Sequence, residues 1–228
     1  MGIRERHSRE RETVTRKILD AARGLFLSEG YANVSMRKIA DRIEYSPGAI
    51  YSYFRSKEDI FFALAEEGLE FARTHCASPA DSGAQPLERV RDAFWRFYTF
   101  SREQPEYFRL IFIDSAVPRI SRDWEQLTSM RELRHDIEHD IQQCIDAGVF
   151  PRVESAAAVF RILWTAVYGA AVIRLSQRLA PGEDADGLAH DLLGCAIAGL
   201  RSGIDLRYST TADAKEPHEV NARRSLEL

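Results

Sequence analysis

Residues 18–64 read ILDAARGLFLSEGYANVSMRKIADRIEYSPGAIYSYFRSKEDIFFAL. The residues that can start or end a helix in this stretch predict four consecutive helices. In the first helix, apolar residues recur at helical spacing up to Gly30, a residue that readily ends a helix. Ser35 is placed to cap a second helix, and Ser46-Pro47 puts a capping residue before a proline at the start of a third, very short one. Residues 56–59 (SKED) resemble a capping box that opens the fourth helix. A helix, a turn of about three residues and another helix is the spacing of a helix-turn-helix.

The rest of the chain also has helical periodicity. Helices are predicted at residues 87–105, 107–113, 123–148, 155–179 and 185–204. The long helix after residue 123 carries one apolar stripe, made of Leu127, Met130, Leu133, Ile137, Ile141 and Cys144. No stretch alternates as a strand does, and there is no internal repeat. We therefore predict an all-α protein with a helix-turn-helix head at residues 12–72, a larger helical body at 73–208 and a polar C-terminal tail at 209–228.

Charge is distributed unevenly along the 228 residues, whose net charge is −4. A negative total argues against a nucleic-acid partner. However, residues 1–60 hold twelve Lys and Arg against nine Asp and Glu, so this part carries +3 and the remainder −7. A basic head on an acidic body indicates two separate roles, and only the head has to approach a polyanion.

The sequence predicts neither export nor a membrane span. Residues 1–16 are crowded with charge and contain no apolar stretch. The longest uncharged run, Ile162 to Ile173, is shorter than the roughly 20 apolar residues that a membrane helix needs. The three cysteines, Cys76, Cys144 and Cys195, match no disulfide or zinc spacing. A reduced, cytoplasmic setting is the expectation that follows.

Catalytic and metal-binding patterns are weak. The chain has no Gly-rich phosphate loop, no Gly-x-Ser-x-Gly motif and no recognisable Cys-His pairing. His135 and His139 have the i, i+4 spacing at which two imidazoles can share a metal ion. Each lies two residues from Ile137, about 200° around the helix, and therefore opposite the apolar stripe. A solvated charged face explains them better, so we predict no enzyme activity, no metal and no cofactor.

Three groups of residues in the head form a recognisable set. They are A-A…L-F…E-G-Y between residues 21 and 31, I-A at 39–40, and G-x-I-Y-x-Y-F-x-S-K-E at 48–58. With these motifs, residues 12–72 resemble the DNA-binding domain of the TetR family of transcriptional repressors. That family usually has Gly-Val in the turn, where this chain has Glu44-Tyr45. A non-glycine residue there must adopt the turn conformation at some energetic cost.

The resemblance implies a set of DNA-contacting positions around the third helix. They are Arg37, Tyr45, Ser46, Pro47, Gly48, Ala49, Tyr51, Ser52, Tyr53 and Lys57. The residue types agree: Gly48 leaves room for base edges, Ala49 can touch a thymine methyl, and Lys57 brings a charge to phosphates. Residues 47–54 contain no Arg, Asn, Gln or Lys, the side chains that make bidentate hydrogen bonds to a base. Specificity is therefore expected from Arg37, thymine methyl contacts and DNA shape. Packing of Tyr51 and Tyr53 on the first helix, and a merely solvated Lys57, are the alternatives.

The body is rich in aromatic side chains, and they cover a wider surface than a single contact between two core helices requires. In proteins similar to this one, the C-terminal helices enclose a cavity for a small-molecule effector. We expect such a cavity to be lined partly by Trp95, Phe112, Trp164 and Tyr168. The alternative is that these rings only pack in the hydrophobic core. Few cationic residues accompany them, which favours an apolar or aromatic ligand over an anionic one.

The last two helices have the composition of an interface. Residues 159–172 are apolar almost all round. The final helix carries small residues that let helices approach closely, namely Ala189, Gly194, Ala196, Ala198 and Gly199. The resemblance implies a homodimer through a four-helix bundle, and two heads on a two-fold axis suit a palindromic DNA site.

These features together predict a transcriptional regulator with double-stranded DNA, a small-molecule effector and a second copy of itself as partners. A repressor released by its ligand is the favoured interpretation. An activator or a corepressor-dependent regulator with the same head is the first alternative. An α-helical carrier or enzyme with a vestigial head is the second.

Overall fold

The computed structural model describes residues 3–76, 83–117, 127–151, 153, 155–204 and 206, and the regular structure within these ranges is helical throughout. The helices are α1 (Ile3–Glu29), α2 (Met36–Arg42), α3 (Pro47–Tyr51), α4 (Lys57–Cys76), α5 (Pro86–Glu103), α6 (Pro105–Phe108), α7 (Thr128–Asp146), α8 (Ala156–Leu175) and α9 (Ala185–Arg201). A short 3₁₀ turn, Tyr31–Asn33, follows α1, and a π-helical turn, Arg109–Ile113, extends α6. The all-α prediction is confirmed, and the tail predicted at 209–228 lies outside the described residues.

Local capping determines where the helices of the head begin and end, as the sequence predicts. Gly30 follows α1 with φ of 80°, a conformation that only glycine adopts without strain. The hydroxyl of Ser35 accepts a hydrogen bond from the backbone N–H of Lys38 at 3.2 Å, which caps α2. The hydroxyl of Ser46 does the same for Ala49 at 3.2 Å, which caps α3. These bonds satisfy donors that the first turn of a helix leaves unpaired.

The start of α4 differs in detail from the predicted capping box. The hydroxyl of Ser56 accepts from the N–H of Asp59 at 3.1 Å, as in such a box. The carboxylate of Asp59 accepts from the N–H of Arg55 at 3.0 Å rather than from Ser56. The reciprocal bond therefore closes one residue earlier in the chain, and α4 still begins at Lys57.

Two helices cross the predicted domain boundaries. α1 begins at Ile3, well before the predicted start of the head at residue 12. α4 runs without interruption from Lys57 to Cys76, past the predicted boundary between residues 72 and 73. The first part of α4 belongs to the head and its last part to the body. A shift of this helix in the body would therefore be carried along it to Lys57 in the head.

The head and body are joined by packing and by a polar network. Gly68 of α4 lies so close to α6 that an added Cβ would stand 2.7 Å from a ring carbon of Tyr107. The hydroxyl of Tyr107 accepts from Arg23 at 2.6 Å and donates to the carboxylate of Glu67. Glu67 also pairs with Arg16 at 2.7 Å. α1, α4 and α6 are therefore held together by one set of hydrogen-bonded side chains.

The body packs α5, α7 and α8 around a continuous apolar core. The apolar stripe predicted on α7 is buried along its length. α9 lies against α8 and contacts α5. α8 carries only two charged side chains, Arg161 and Arg174, and by length and composition alone it could cross a membrane, although only 33% of its most apolar window is buried here. The longest uncharged run of the sequence, Ile162 to Ile173, lies in this helix, and Arg161 and Arg174 at its two ends keep it shorter than a membrane span.

Candidate nucleic-acid interface and body cavity

The turn between α2 and α3 forms without the glycine that is usual there. Glu44 has φ of 60°, in the left-handed region. The backbone N–H of Tyr45 donates to the carbonyl of Ala40 at 3.0 Å, which closes the turn. A non-glycine residue in this conformation costs about 1 kcal/mol or more. The strain expected from the sequence is therefore present, and the surrounding helices tolerate it.

α3 presents a small, open surface. Tyr51 is 53% exposed, and Ser46, Gly48 and Ser52 are exposed as well. Gly48 has an ordinary helical conformation, and a Cβ built on it meets nothing within 4 Å. Neither backbone strain nor packing inside the chain requires glycine at this position. Its absent side chain leaves room for another molecule to approach the backbone.

The remaining predicted contacts lie on or beside this surface, at different depths. Arg37, in the first turn of α2, is 83% exposed, with its guanidinium 3.9 Å from the carboxylate of Asp41. The other predicted contacts are half-buried, namely Tyr45, Pro47, Ala49, Tyr53 and Lys57. All ten predicted residues lie between α2 and the start of α4, with Ser52 and Tyr53 in the link that follows α3, so they belong to one continuous segment of the head.

Lys57 is held inward by Tyr31. Its ammonium donates to the Tyr31 carbonyl at 2.8 Å and stands 4.0 Å from the centroid of the Tyr31 ring. The Tyr31 hydroxyl donates to Glu58 at 3.2 Å, and burial together with the Glu58 charge raises the pKa of Tyr31 well above its ordinary value of 10.0. Lys57 is therefore neither simply solvated nor fully free for phosphate, because the protein positions its charge at the start of α4.

Arg11 is a neighbour of α3 that the sequence interpretation missed. Its guanidinium donates to the Ser52 carbonyl at 3.4 Å and lies 5.2 Å from the centroid of the Tyr53 ring. Arg11 precedes the buried Ile18 by seven residues, two helical turns, and so shares a face of α1 with it. That spacing was available in the sequence as a signal that Arg11 faces the rest of the head.

The four aromatic residues predicted to line an effector cavity do not lie together. The rings of Trp164 and Tyr168 stack with centroids 4.7 Å apart, and Phe112 adjoins them, accepting the Tyr168 hydroxyl on its carbonyl at 2.9 Å. Phe97 fills the same cluster. Trp95 faces elsewhere and stacks on His190, with ring centroids 3.5 Å apart. Three of the predicted residues thus pack against one another, and the fourth belongs to a different contact.

A cavity of about 650 Å³ lies instead at the junction of head and body. Its lining is Phe26, Leu27, Gly30, Pro105, Glu106, Arg109, Leu110, Ile113, Asp114, Val172, Leu175 and Ser176. The volume is in the range of small-molecule sites in proteins. The π-helical turn Arg109–Ile113 connects the two regions, since Phe112 enters the aromatic cluster while Ile113 lines the cavity.

Comparison with known proteins agrees with this architecture. Residues 18–64 match the family of bacterial regulatory proteins described as the tetR family, and residues 90–196 match the tetracyclin repressor-like C-terminal domain. The chain belongs to the tetR family. It is 25% identical to the HTH-type transcriptional regulator HbdR of Aromatoleum sp. (strain CIB) over 165 residues, 70% of this chain and 72% of that relative.

Two further likenesses are more local or more distant. The HTH-type transcriptional repressor Rv1474c of Mycobacterium tuberculosis (strain ATCC 25618 / H37Rv) is 46% identical over 55 residues, 24% of this chain and 29% of that protein. The fatty acid degradation regulator FadR from Bacillus halodurans has a TM-score of 0.66 at 15% identity, over 82% of this chain and 96% of that one. The latter likeness concerns the fold alone.

Membership of the tetR family makes this chain a DNA-binding transcriptional regulator with a helix-turn-helix head. The matched segment 18–64 contains α2, α3 and the turn between them, and the second match extends from α5 into α9. tetR-family regulators are normally not enzymes. His135 and His139 are exposed on α7, and the ring of His139 is 2.9 Å from the amide nitrogen of Gln143. Within the described residues, no three His, Cys, Asp or Glu side chains are grouped as metal ligands.

Proposed function

We propose that the protein is a repressor that binds a palindromic operator as a homodimer and releases it when a small apolar or aromatic molecule binds the body. The open surface of α3 carries this proposal. A short helix with an exposed tyrosine, a glycine that neither packing nor backbone requires, and flanking cations suits the major groove of double-stranded DNA. A cytoplasmic location and the head, body and tail divisions at 12–72, 73–208 and 209–228 belong to the same proposal, with α1 extending the head to Ile3.

Several of the ten predicted residues differ in the kind of DNA contact that their chemistry permits. Arg37 is exposed and long enough to reach a base edge or a phosphate. Gly48 and Ala49 allow close approach, with the Ala49 methyl suited to thymine. The hydroxyl group of Tyr51 and the charge of Lys57 suit phosphates. Because few side chains can read bases directly, DNA shape is expected to contribute to specificity.

The dimer is proposed from the outer faces of α8 and α9. Leu192, Gly194 and Cys195 are exposed on α9. A Cβ added to Gly169 of α8, or to Gly194 of α9, meets nothing within 4 Å, so packing inside one chain requires neither glycine. An apolar face with small residues is what two helices need in order to approach closely, and it also explains why α8 is apolar although only partly buried.

The DNA proposal is tested by selecting bound sequences from a random double-stranded pool. The expected result is a palindrome whose half-sites are about one helical turn apart, bound with an affinity that falls steeply with salt. Tyr51→Ala should weaken binding to the selected site. His135→Ala, which removes an exposed ring from α7 of the body, is the control and should leave DNA affinity without ligand unchanged. A pool that yields no preferred sequence would refute the proposal.

The dimer is tested by sedimentation at micromolar concentration. Gly194→Gln should shift the protein towards monomer, because a long polar side chain would keep the partner helix away. Gly24→Gln is the control, since Gly24 is also a helical glycine whose added Cβ meets nothing within 4 Å, but it lies on α1. A wild-type monomer, or equal effects of the two variants, would contradict the proposed interface.

The direction of regulation needs a separate measurement. A reporter gene behind the selected site should be expressed less when the protein is present, and expression should recover when a bound ligand is added. Loss of expression only with ligand would indicate a corepressor-dependent regulator, and a gain of expression would indicate an activator. Failure to bind DNA at all would favour the carrier or enzyme alternative.

A further inference from the structure

The cavity at the junction has one wall in the head and the other in the body. Phe26, Leu27 and Gly30, at the end of α1, form the head wall. The body wall comes from α6 with its π-helical turn and from the end of α8, including Leu110 and Val172. A molecule bound here therefore contacts the DNA-binding head directly, without passing through the aromatic cluster of the body.

The lining favours an uncharged apolar ligand. Most of the side chains that face the space are aliphatic or aromatic. The charged groups are one arginine, Arg109, and two acids, Glu106 and Asp114. Arg109 donates to the Leu175 carbonyl at 2.8 Å, and both carboxylate oxygens of Asp114 accept backbone N–H groups. An anion would meet a lining with a net negative charge. A cation would also gain little, because the Asp114 carboxylate already accepts two backbone N–H groups and the Glu106 charge is balanced by that of Arg109, three residues later.

A hydrogen-bonded chain leads from this cavity to the DNA-binding surface. Asp114, in the cavity wall, accepts the backbone N–H of Tyr31 at 3.4 Å. The Tyr31 carbonyl in turn accepts the ammonium of Lys57 at 2.8 Å, and the Tyr31 ring lies under that ammonium. Only Tyr31 therefore separates a cavity residue from the cation that begins α4. A ligand that displaces Asp114 would shift the support of Lys57.

We infer that the junction cavity binds a neutral, apolar small molecule, and that its occupancy lowers DNA affinity through Asp114, Tyr31 and Lys57. This inference rests on the proposed function for its effect on DNA, but the binding step does not. Coupling between two sites in proteins typically changes affinity 5- to 150-fold, and a loss of about tenfold is expected here.

Binding is tested first without DNA, by calorimetry and thermal shift with three probes of one chain length: 1-octanol, octanoate and octylamine. The alcohol should bind and raise the melting temperature, and the two ions should bind at least tenfold more weakly. Ile113→Trp fills the space and should abolish alcohol binding. Ile204→Trp is the control, because Ile204 is an exposed isoleucine outside the cavity and its replacement should change nothing. Equal binding of all three probes, or binding unaffected by Ile113→Trp, would overturn the inference.

Coupling is tested next by fluorescence anisotropy on the selected DNA, with and without 1-octanol. The alcohol should lower the DNA affinity of the wild type about tenfold. In Asp114→Ala, the affinity for the alcohol should stay within about threefold of wild type. The effect of the alcohol on DNA affinity should largely disappear, because the hydrogen bond to Tyr31 is lost. An unchanged effect in that variant would overturn the assigned route. Protein that binds the alcohol but no DNA would instead refute the proposed function, so the two failures are distinguishable.

Discussion

Lys57 donates a hydrogen bond to the carbonyl of Tyr31 and places its ammonium 4.0 Å from the centroid of the Tyr31 ring. The cation that we propose for a phosphate contact is thus oriented by the first residue of the 3₁₀ turn after α1. A half-buried lysine with a fixed partner loses less side-chain entropy on binding DNA than a mobile one. It also contributes to the packing between the 3₁₀ turn after α1 and the start of α4.

Lys57→Met should weaken binding to all DNA sequences and flatten the dependence of log Kd on log salt by about 1, because one phosphate contact is lost. Lys57→Arg, which keeps the charge, should retain most of the slope. Anisotropy titrations between low and high salt measure both. A variant whose sequence preference changes while the slope stays intact would show that Lys57 reads bases. A lowered melting temperature with normal DNA binding would show that it only supports Tyr31.

The contact of α4 with α6 depends on the absence of a side chain at Gly68. A Cβ there would stand 2.7 Å from Tyr107 Cδ1 and 2.9 Å from Ile111 Cδ1, and both residues are buried. Gly68→Ala should therefore lower the free energy of unfolding by about 1–3 kcal/mol, as overpacked cores do. Gly24→Ala is the control: its Cβ has open space, so it should raise stability by about 0.5–1 kcal/mol. Urea denaturation measures the free energy of unfolding of both variants. A change in the same direction for the two would contradict the packing argument.

Much of the fold could be predicted because its signals are local. Ser35 and Ser46 are capping residues whose partners lie three positions away, so sequence alone identifies them. The buried stripe on α7 follows from helical periodicity in the same way. The left-handed conformation of Glu44 is expected for a different reason, because the family that the head resembles usually has glycine at that position.

The contacts between helices could not be predicted by the same means. Periodicity tells which face of a helix is apolar, but not how two helices are rotated against each other. Trp95 and Trp164 therefore looked equivalent in the sequence, whereas one stacks on His190 and the other on Tyr168. The bond between Asp114 and Tyr31 joins residues 83 positions apart and has no sequence signal.

We expect the contact between head and body at Glu67 to weaken in acid. Burial acts to raise its pKa, but hydrogen bonds from Tyr107 and Arg16 outweigh burial and lower the pKa below its ordinary value of 4.5. A carboxylate with a lowered pKa in the folded state stabilises the fold fully above its unfolded pKa, and that contribution is lost as pH falls through the folded value. Glu67→Gln should melt a few degrees lower than wild type at pH 7, and the gap should narrow below about pH 4. A gap that widens on acidification would contradict this assignment.

The two cysteines whose environments are described differ enough to report on the proposed dimer. Cys144 is buried, and burial together with the nearby Asp140 carboxylate raises the pKa of its thiol to about 11, so it should resist alkylation until the protein unfolds. Cys195 is exposed on α9, in the face proposed to meet the partner. Its alkylation by iodoacetamide, followed by peptide mass mapping, should slow as protein concentration rises from nanomolar to micromolar, because dimerisation covers it. In Gly194→Gln the rate should stay fast at every concentration. A wild-type rate independent of concentration would place the dimer contact away from α9.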